Sequence, residues 1–242
     1  MTPPPRVRAV LFDLGGTLVD YHDFAHWSDL AKHVFVEATE EDLAHAFVEV
    51  ENETDGPDTR TSHTEFWRRT LSRASGKDVP NAAAVRFIAL IRERPGFYRL
   101  YSDSRRCLED LRDDERRLAV VSNSTSEAHI RGILHSTGIL PFFEKVISSG
   151  TEGVEKPDPE IFHRTLERMQ LRPDEAFYVG NLAYTDAEAA RKAGLHSVWL
   201  HRDGTGMSDD PPEITSLLEL PLCIAQLDRR SPAESPSPRR AT

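Results

Sequence analysis

The sequence is short of cysteine, of basic residues and of long apolar runs, and each shortage excludes something. Its two cysteines, Cys107 and Cys223, stand far apart with no metal-type spacing. They read as two reduced thiols of a cytosolic protein, not as a disulfide framework. No apolar run reaches the roughly 20 residues of a membrane-spanning helix. The opening "MTPPPRVRAVLF" lacks the apolar stretch of a signal peptide, so the expected location is cytoplasmic. Lys and Arg number 30 against 40 Asp and Glu, and the formal charge of −10 argues against a nucleic-acid partner held by phosphate contacts. What is present suits a folded protein: 242 residues, 38% hydrophobic and 29% charged, enough for one large domain or a core with an insertion.

The charge is unevenly placed. Residues 20–59 hold twelve acids against Lys32 alone, while 60–101 hold nine basic residues against three acids. Runs of this kind are expected to be solvated helical faces of opposite sign that pair with each other. The alternative is a field that screens substrates by charge.

Five runs read as strands covered on both faces: 8–14 "RAVLFDL", 117–123 "RLAVVSN", 143–149 "FEKVISS", 175–181 "EAFYVGN" and 196–202 "HSVWLHR". Helical patterns at 124–136, 158–169 and 186–193 separate the last four, with Ser124 or Ser126 as N-cap of the first and Gly138 and Gly194 as stops. The alternation predicts a parallel, doubly wound sheet. Between the first two strands the pattern is helical, at about 25–37, 40–51, 63–74 and 81–94, then 102–114. "TDGPDTRTS" links the second and third of these, Asn81 is the expected N-cap of the fourth, and Pro95-Gly96 its stop. The expected architecture is therefore α/β: a Rossmann-like core from 1–19 and 96–227, a helical cap from 20–95, and a disordered Pro/Ser/Arg-rich tail at 228–242. In open parallel sheets ligands bind beyond the carboxyl ends of the strands, so the cap would sit over the site.

Four strand ends carry polar residues in order: Asp13 and Thr17, then Ser122 and Asn123, then Lys156, then Asn181 and Asp186. Each alone is a turn residue. Together, in "FDLGGTLVD", "VVSNS", "EKPDPEIF" and "YVGNLAYTDAEAARKAG", they resemble the four motifs of the haloacid dehalogenase superfamily, in the branch with a helical cap between the first and second motifs. The resemblance spans 6–227. It implies a hydrolase, in most members a magnesium-dependent phosphatase of small phosphate monoesters that works through an aspartyl-phosphate. By that resemblance Asp13 is the nucleophile and Lys156 the fixed cation beside it. Thr17, Ser122, Asn123, Lys156, Gly15 and Gly16 would bind the substrate phosphate, with Thr17 mainly orienting its loop. Magnesium would be held by Asp13, the Gly15 carbonyl, Asn181 and Asp186. The expected partner is a small phosphorylated molecule, with neither nucleic acid nor membrane involved, and the protein a monomer or homodimer.

The sequence departs from the family pattern twice. Gly15 stands where phosphatases carry the acid/base Asp, a group worth on the order of 10²–10⁴ in rate. Asn181 stands for a metal-side carboxylate and brings an oxygen without charge. Three readings stay open: a phosphatase that is slow or restricted to good leaving groups, a metal-independent hydrolase of C–halogen or C–P bonds, and a catalytically weakened member that binds a phosphorylated ligand or a protein. The dehalogenases' early cap arginine has no counterpart between Arg8 and Arg60, nor has the tyrosine they carry in place of the second Asp. Lys32 is a lone lysine in a helical region. His22 and His26 have i,i+4 spacing but no evident third ligand, and are expected to be cap residues near the entrance. Trp27, Phe35, Phe47, Phe66, Trp67 and Phe87 are expected to pack the cap, and Tyr184 to face the cleft.

Overall fold

The structure is a computed structural model, and it describes residues 7–20, 24–56, 61–93, 98–124, 126–204 and 211–229. The core sheet is built from β1 (Ala9–Phe12), β4 (Arg117–Ser122), β5 (Lys145–Ser148), β6 (Ala176–Gly180), β7 (His196–Leu200) and β8 (Glu213–Ile214). Their order is β5-β4-β1-β6-β7-β8, and every pairing is parallel. Burial alternates along the central strand. Val10 and Phe12 join one apolar layer with Leu118, Val120 and Val179, while Ala9 and Leu11 join the other with Ala119, Val121 and Tyr178. Helices α5 (Ser104–Asp113), α6 (Glu127–Ser136) and α10 (Leu220–Arg229) cover the first face, and α8 (Glu160–Met169) and α9 (Ala189–Lys192) the second. Two covered faces explain why these strands are continuous apolar runs in the sequence.

The register positions the chemistry. Phe12 pairs with Val120 on one side and Val179 on the other, so Asp13 stands level with the ends of β4 and β6. This is the point where the sheet order reverses, the usual ligand position of such sheets.

Beyond β1 the chain forms a two-residue strand β2 (Val19–Asp20), antiparallel to β3 (Arg99–Leu100). Between them lie α1 (Phe24–Lys32), α2 (Glu40–Thr54), α3 (His63–Ser75) and α4 (Asn81–Arg92), packed around an apolar cluster of their own. Trp27 and Trp67 meet edge to face at 4.8 Å between ring centroids, with Phe47, Phe66 and Phe87 around them. The opposite charge runs meet here as expected: Arg73 on α3 bonds Glu53 on α2 at 2.8 Å, and Arg69 pairs with the same carboxylate. Ribbon β2–β3 brings both connections to the cap side by side, a feature too short to leave a periodic signal in the sequence.

Several sequence expectations shift. Asn81 is the first residue of α4 and Pro80 its N-cap, with no side-chain capping bond. Strand β8 and helix α10 were not anticipated. Residues 228–229, expected in the tail, belong to the fold: α10 runs to Arg229, and Asp228 accepts the Val7 amide at 2.9 Å and Arg116 Nη2 at 2.7 Å. Residues 230–242 lie outside the described residues, as do Pro95-Gly96 and 57–60 of the α2–α3 link.

The first cap helix stops at Lys32, five residues short of expectation. Val34 and Val36 turn inward and Phe35 outward, a period of two that a helix cannot follow. Phe35 has φ 61°, the Val36 amide bonds back to Ala31 O at 3.0 Å, and Phe35 is 98% exposed instead of packed. Phe35 thus does the work glycine usually does at a helix end, at a steric cost of about 1 kcal/mol. Phe35→Gly should raise the melting temperature by about 2–4 °C, the size expected for about 1 kcal/mol in a chain of this length. A lower melting temperature by calorimetry would contradict it.

Candidate active site

Asp13 ends β1 almost closed off from solvent, with 7% exposure. Lys156, in the loop after the short helix α7 (Ser149–Glu152), reaches it across the strand ends. Its ammonium donates to Asp13 Oδ1 at 2.7 Å, Asp186 Oδ1 at 2.6 Å and the Tyr178 hydroxyl at 2.9 Å. Three donors meet three acceptors, so the lysine's hydrogen-bonding capacity is filled. Burial alone would lower its pKa, but the charges of Asp13 and Asp186 outweigh that and hold the ammonium above its usual value. Asp13 responds in the other direction. Burial raises its carboxyl, Lys156 opposes, Asp186 adds to the rise, and the result is a pKa of about 6.

Tyr178 was not singled out in the sequence. It is fully buried on β6, its ring edge to face with Phe162 at 4.9 Å, and its hydroxyl donates to Asp186 Oδ1 at 2.9 Å. Burial, then the neighbouring carboxylates, push its pKa well above the ordinary value, so it stays a neutral hydrogen-bonding group. The available signal was a hydroxyl inside the buried run "AFYVG", because buried tyrosines need a partner.

The lysine's backbone is fixed as firmly as its head. The Asn123 carboxamide accepts the Lys156 amide at 2.9 Å and donates to the Lys156 carbonyl at 2.8 Å. The Asn123 side chain is thus committed to holding Lys156, which leaves the expected phosphate role to its backbone amide alone. Ser122 stands where it was expected, 8% exposed at the end of β4, and none of the described residues hydrogen-bonds its hydroxyl.

The turn after Asp13 is a tight knot. Gly16 has φ 75°, its amide donates to Val19 O at 2.9 Å, and the Leu18 and Val19 amides both return to Leu14 O. The Gly16 amide is therefore consumed within the turn and is not a free phosphate donor, which corrects that expectation. Thr17 is likewise turned inward. It is fully buried, and its hydroxyl donates to Asn181 Oδ1 at 3.5 Å, a contact suited to its expected part in orienting the loop. A Cβ added to Gly16 would lie 2.5 Å from Asn181 Nδ2, so Asn181 packs directly on the turn. From behind, Arg202 donates to Thr17 O at 2.7 Å and Gly16 O at 3.4 Å. Both Asp103 oxygens hold the guanidinium, at 2.9 and 3.1 Å. Nothing in the sequence tied Arg202 to the first motif.

Asp186 occupies a widened helical turn, Ala183–Glu188, of the kind that recurs at functional sites. It was expected to ligate metal. Both oxygens are instead taken: Oδ1 by Lys156 and Tyr178, and Oδ2 by the Leu182 amide at 3.1 Å. The sequence pattern marked the residue and missed this use of it. Among the described residues, no cluster of three or more His, Cys, Asp or Glu side chains could hold a metal. Lys32 bonds Asp29 on the exposed face of α1, and the Tyr184 ring lies under Lys192 Nζ at 4.3 Å. His26 lies on α1; His22 is outside the described residues. No helix among the described residues is long and apolar enough to cross a membrane.

The chain is 30% identical over 221 residues to phosphoserine phosphatase of Thermus thermophilus, covering 86% of each chain. It is 28% identical over 203 residues to glyceraldehyde 3-phosphate phosphatase of Methanopyrus kandleri, covering 81% of this chain and 84% of that one. Its fold matches the magnesium-bound HAD-hydrolase YfnB of Bacillus subtilis with a TM-score of 0.73 at 20% identity, over 90% of this chain and 99% of that one. Residues 7–194 match the haloacid dehalogenase-like hydrolase family. The chain belongs to the haloacid dehalogenase-like hydrolases.

Proposed function

We propose that the protein is a phosphatase of small phosphate monoesters that uses Asp13 as its nucleophile. The observation that carries this reading is the buried Asp13–Lys156 contact of 2.7 Å, on the strand ends where β4 also places Ser122, whose hydroxyl has no partner among the described residues. A phosphoryl group in transfer needs neutralisation of its charge more than it needs bond-making help. Lys156 provides a fixed cation, and Ser122 a donor at the mouth of the site. Two relatives named as phosphatases of small phosphorylated compounds support the substrate class.

The steps follow from the residues present. Lys156 holds Asp13 Oδ1, which leaves the other carboxylate oxygen to attack phosphorus. The bond from phosphorus to the ester oxygen breaks as the bond to Asp13 forms, and the alcohol leaves as its anion. Water then attacks phosphorus, the Asp13–phosphorus bond breaks, and inorganic phosphate departs. Asp13, the Gly15 carbonyl and the Asn181 carboxamide would supply an all-oxygen donor set of the type magnesium accepts, with one charge only. A set with a single charge would hold magnesium weakly. When bound, the ion would add charge neutralisation at the phosphoryl oxygens. The Asp186 oxygens already accept from Lys156, Tyr178 and the Leu182 amide, so the reading does not depend on Asp186 as a ligand.

Gly15 offers no proton to the leaving oxygen, so the enzyme should favour aryl over alkyl phosphates. Gly16 is held in the left-handed region and Gly15 is not, so the backbone at 15 accepts an aspartate. Gly15→Asp should raise turnover on alkyl phosphates by about 10²-fold, within the usual range for an added acid/base group, and on aryl phosphates much less. The test is phosphate release from an aryl and an alkyl ester, with and without magnesium, for both proteins. Equal gains on the two esters would sink the account of Gly15. Halide release from a 2-haloacid in the presence of a chelator, with no phosphate released from any ester, would overturn the phosphatase reading.

A further inference from the structure

Asp55 belongs to the cap by sequence and to the core by its contacts. It lies just past α2, where its amide still closes the helix on Glu51 O at 3.0 Å. Its carboxylate reaches across to the widened turn that carries Asp186. Oδ2 accepts the Tyr184 amide at 3.1 Å, and Oδ1 accepts both the Thr185 amide and the Thr185 hydroxyl at 2.8 Å. One carboxylate thus takes three hydrogen bonds on two successive residues. Bonds of this kind to a charged acceptor are about twice as strong as neutral ones.

The turn needs this help. Leu182, its N-cap residue, brings no side-chain oxygen, so the first amides of the helix have no local partner. The capping carboxylate comes from 129 positions away in sequence. A capping residue next to its helix is always in place. One that sits on another layer of the molecule is in place only when that layer is docked. The rest of the loop is tied down within the core: Trp199 Nε1 donates to Asn181 O at 2.9 Å, and the Leu182 amide donates to Asp186 Oδ2. Tyr184 and Thr185 fall between these two anchors.

We infer that Asp55 is a positioning residue that fixes the Asn181–Asp186 loop from the cap, so that docking of the cap and assembly of the site are one event. Asn181 packs on the Gly15–Thr17 turn, and Asp186 holds Lys156. Loss of Asp55 therefore reaches both sides of the nucleophile without touching it. The kinetic consequence rests on the phosphatase reading; the structural consequence does not.

The experiment compares the full-length protein with Asp55→Ala and Asp55→Asn. It reads amide hydrogen exchange at residues 184–186, the radius of gyration by solution scattering, and turnover of p-nitrophenyl phosphate. In Asp55→Ala the Tyr184 and Thr185 amides should exchange at least tenfold faster. Asp186, whose amide bonds Leu182 O within the turn, is the internal control. The radius of gyration should rise, and kcat/KM should fall about tenfold, mainly through kcat. Asp55→Asn keeps an acceptor oxygen but loses the charge, and should fall between the two; it also decides the matter if the alanine variant fails to fold. Unchanged exchange at 184 and 185 would overturn the inference. Faster exchange with unchanged scattering and turnover would overturn it too, leaving Asp55 as a local cap. If the unaltered protein releases no phosphate, the phosphatase reading has failed, and exchange and scattering alone decide the role of Asp55.

Discussion

Replacing Lys156 by methionine should lower the melting temperature by about 10 °C at pH 8 and abolish turnover. The ammonium lies between two buried carboxylates, Asp13 and Asp186. Methionine matches its length and removes its charge. The carboxylates are then left facing each other in a largely buried site, the situation in which breaking a buried ion pair costs about 3–5 kcal/mol. At about 2–4 °C per kcal/mol for a chain of this size, the drop is large. The pH dependence has a definite sign. Asp13 already titrates at about 6, above its ordinary value, and loss of Lys156 raises it further. A carboxyl raised in the folded state favours folding below its unfolded pKa, and that contribution is lost as pH rises through the folded value. The deficit of Lys156→Met should therefore be small at pH 5 and grow toward pH 8. Adding Asp186→Asn should restore part of it by removing one of the two charges. Melting curves at both pH values in a chelator provide the check; a variant as stable as the parent at pH 8 would mean that water reaches the carboxylates.

What the sequence discloses and what it hides follow one physical division. Strand β4 is legible because both its faces are covered, so "RLAVVS" has to be apolar throughout. Asp13, Ser122 and Lys156 are legible because each ends a strand or follows one at a fixed point of the parallel sheet. Their functions are less legible than their positions. Whether the Gly16 amide meets a ligand or its own turn depends on backbone direction, and that direction is set by the return of the Leu18 and Val19 amides to Leu14 O. Whether Asp186 is free to bind a cation depends on Tyr178, a residue eight positions earlier on the same strand–turn unit. Arg202 and Asp55 escape a sequence reading for a stronger reason. Their partners lie 185 and 129 positions away, and neither side of the contact has a local pattern. Phe35 is the reverse case, where a residue type suited to a core stands exposed because Val34 and Val36 claim the inward positions.

The substitution Asp13→Asn separates function from stability most cleanly. Turnover of an aryl phosphate should fall by on the order of 10³ or more, because the amide has no lone pair suited to attack phosphorus and no charge to offer. Stability should not fall with it. Asp13, Asp186 and Lys156 together carry a net charge of −1 in a buried site, and the amide brings that charge to zero. The lysine keeps Asp186 and Tyr178 as acceptors, so no buried donor on it is stranded by more than one bond. In the metal-free protein at pH 8 the variant should melt at the same temperature as the parent or higher. The advantage should fade as pH drops below about 6, where the parent's Asp13 takes up a proton and its burial no longer costs a charge. Residual turnover above a few per cent would remove Asp13 from the nucleophile's role. A drop of many degrees at pH 8 would mean that the ion pair with Lys156 is worth more to the fold than the burial of Asp13 costs. The site would then be a structural salt bridge first and a catalytic one second.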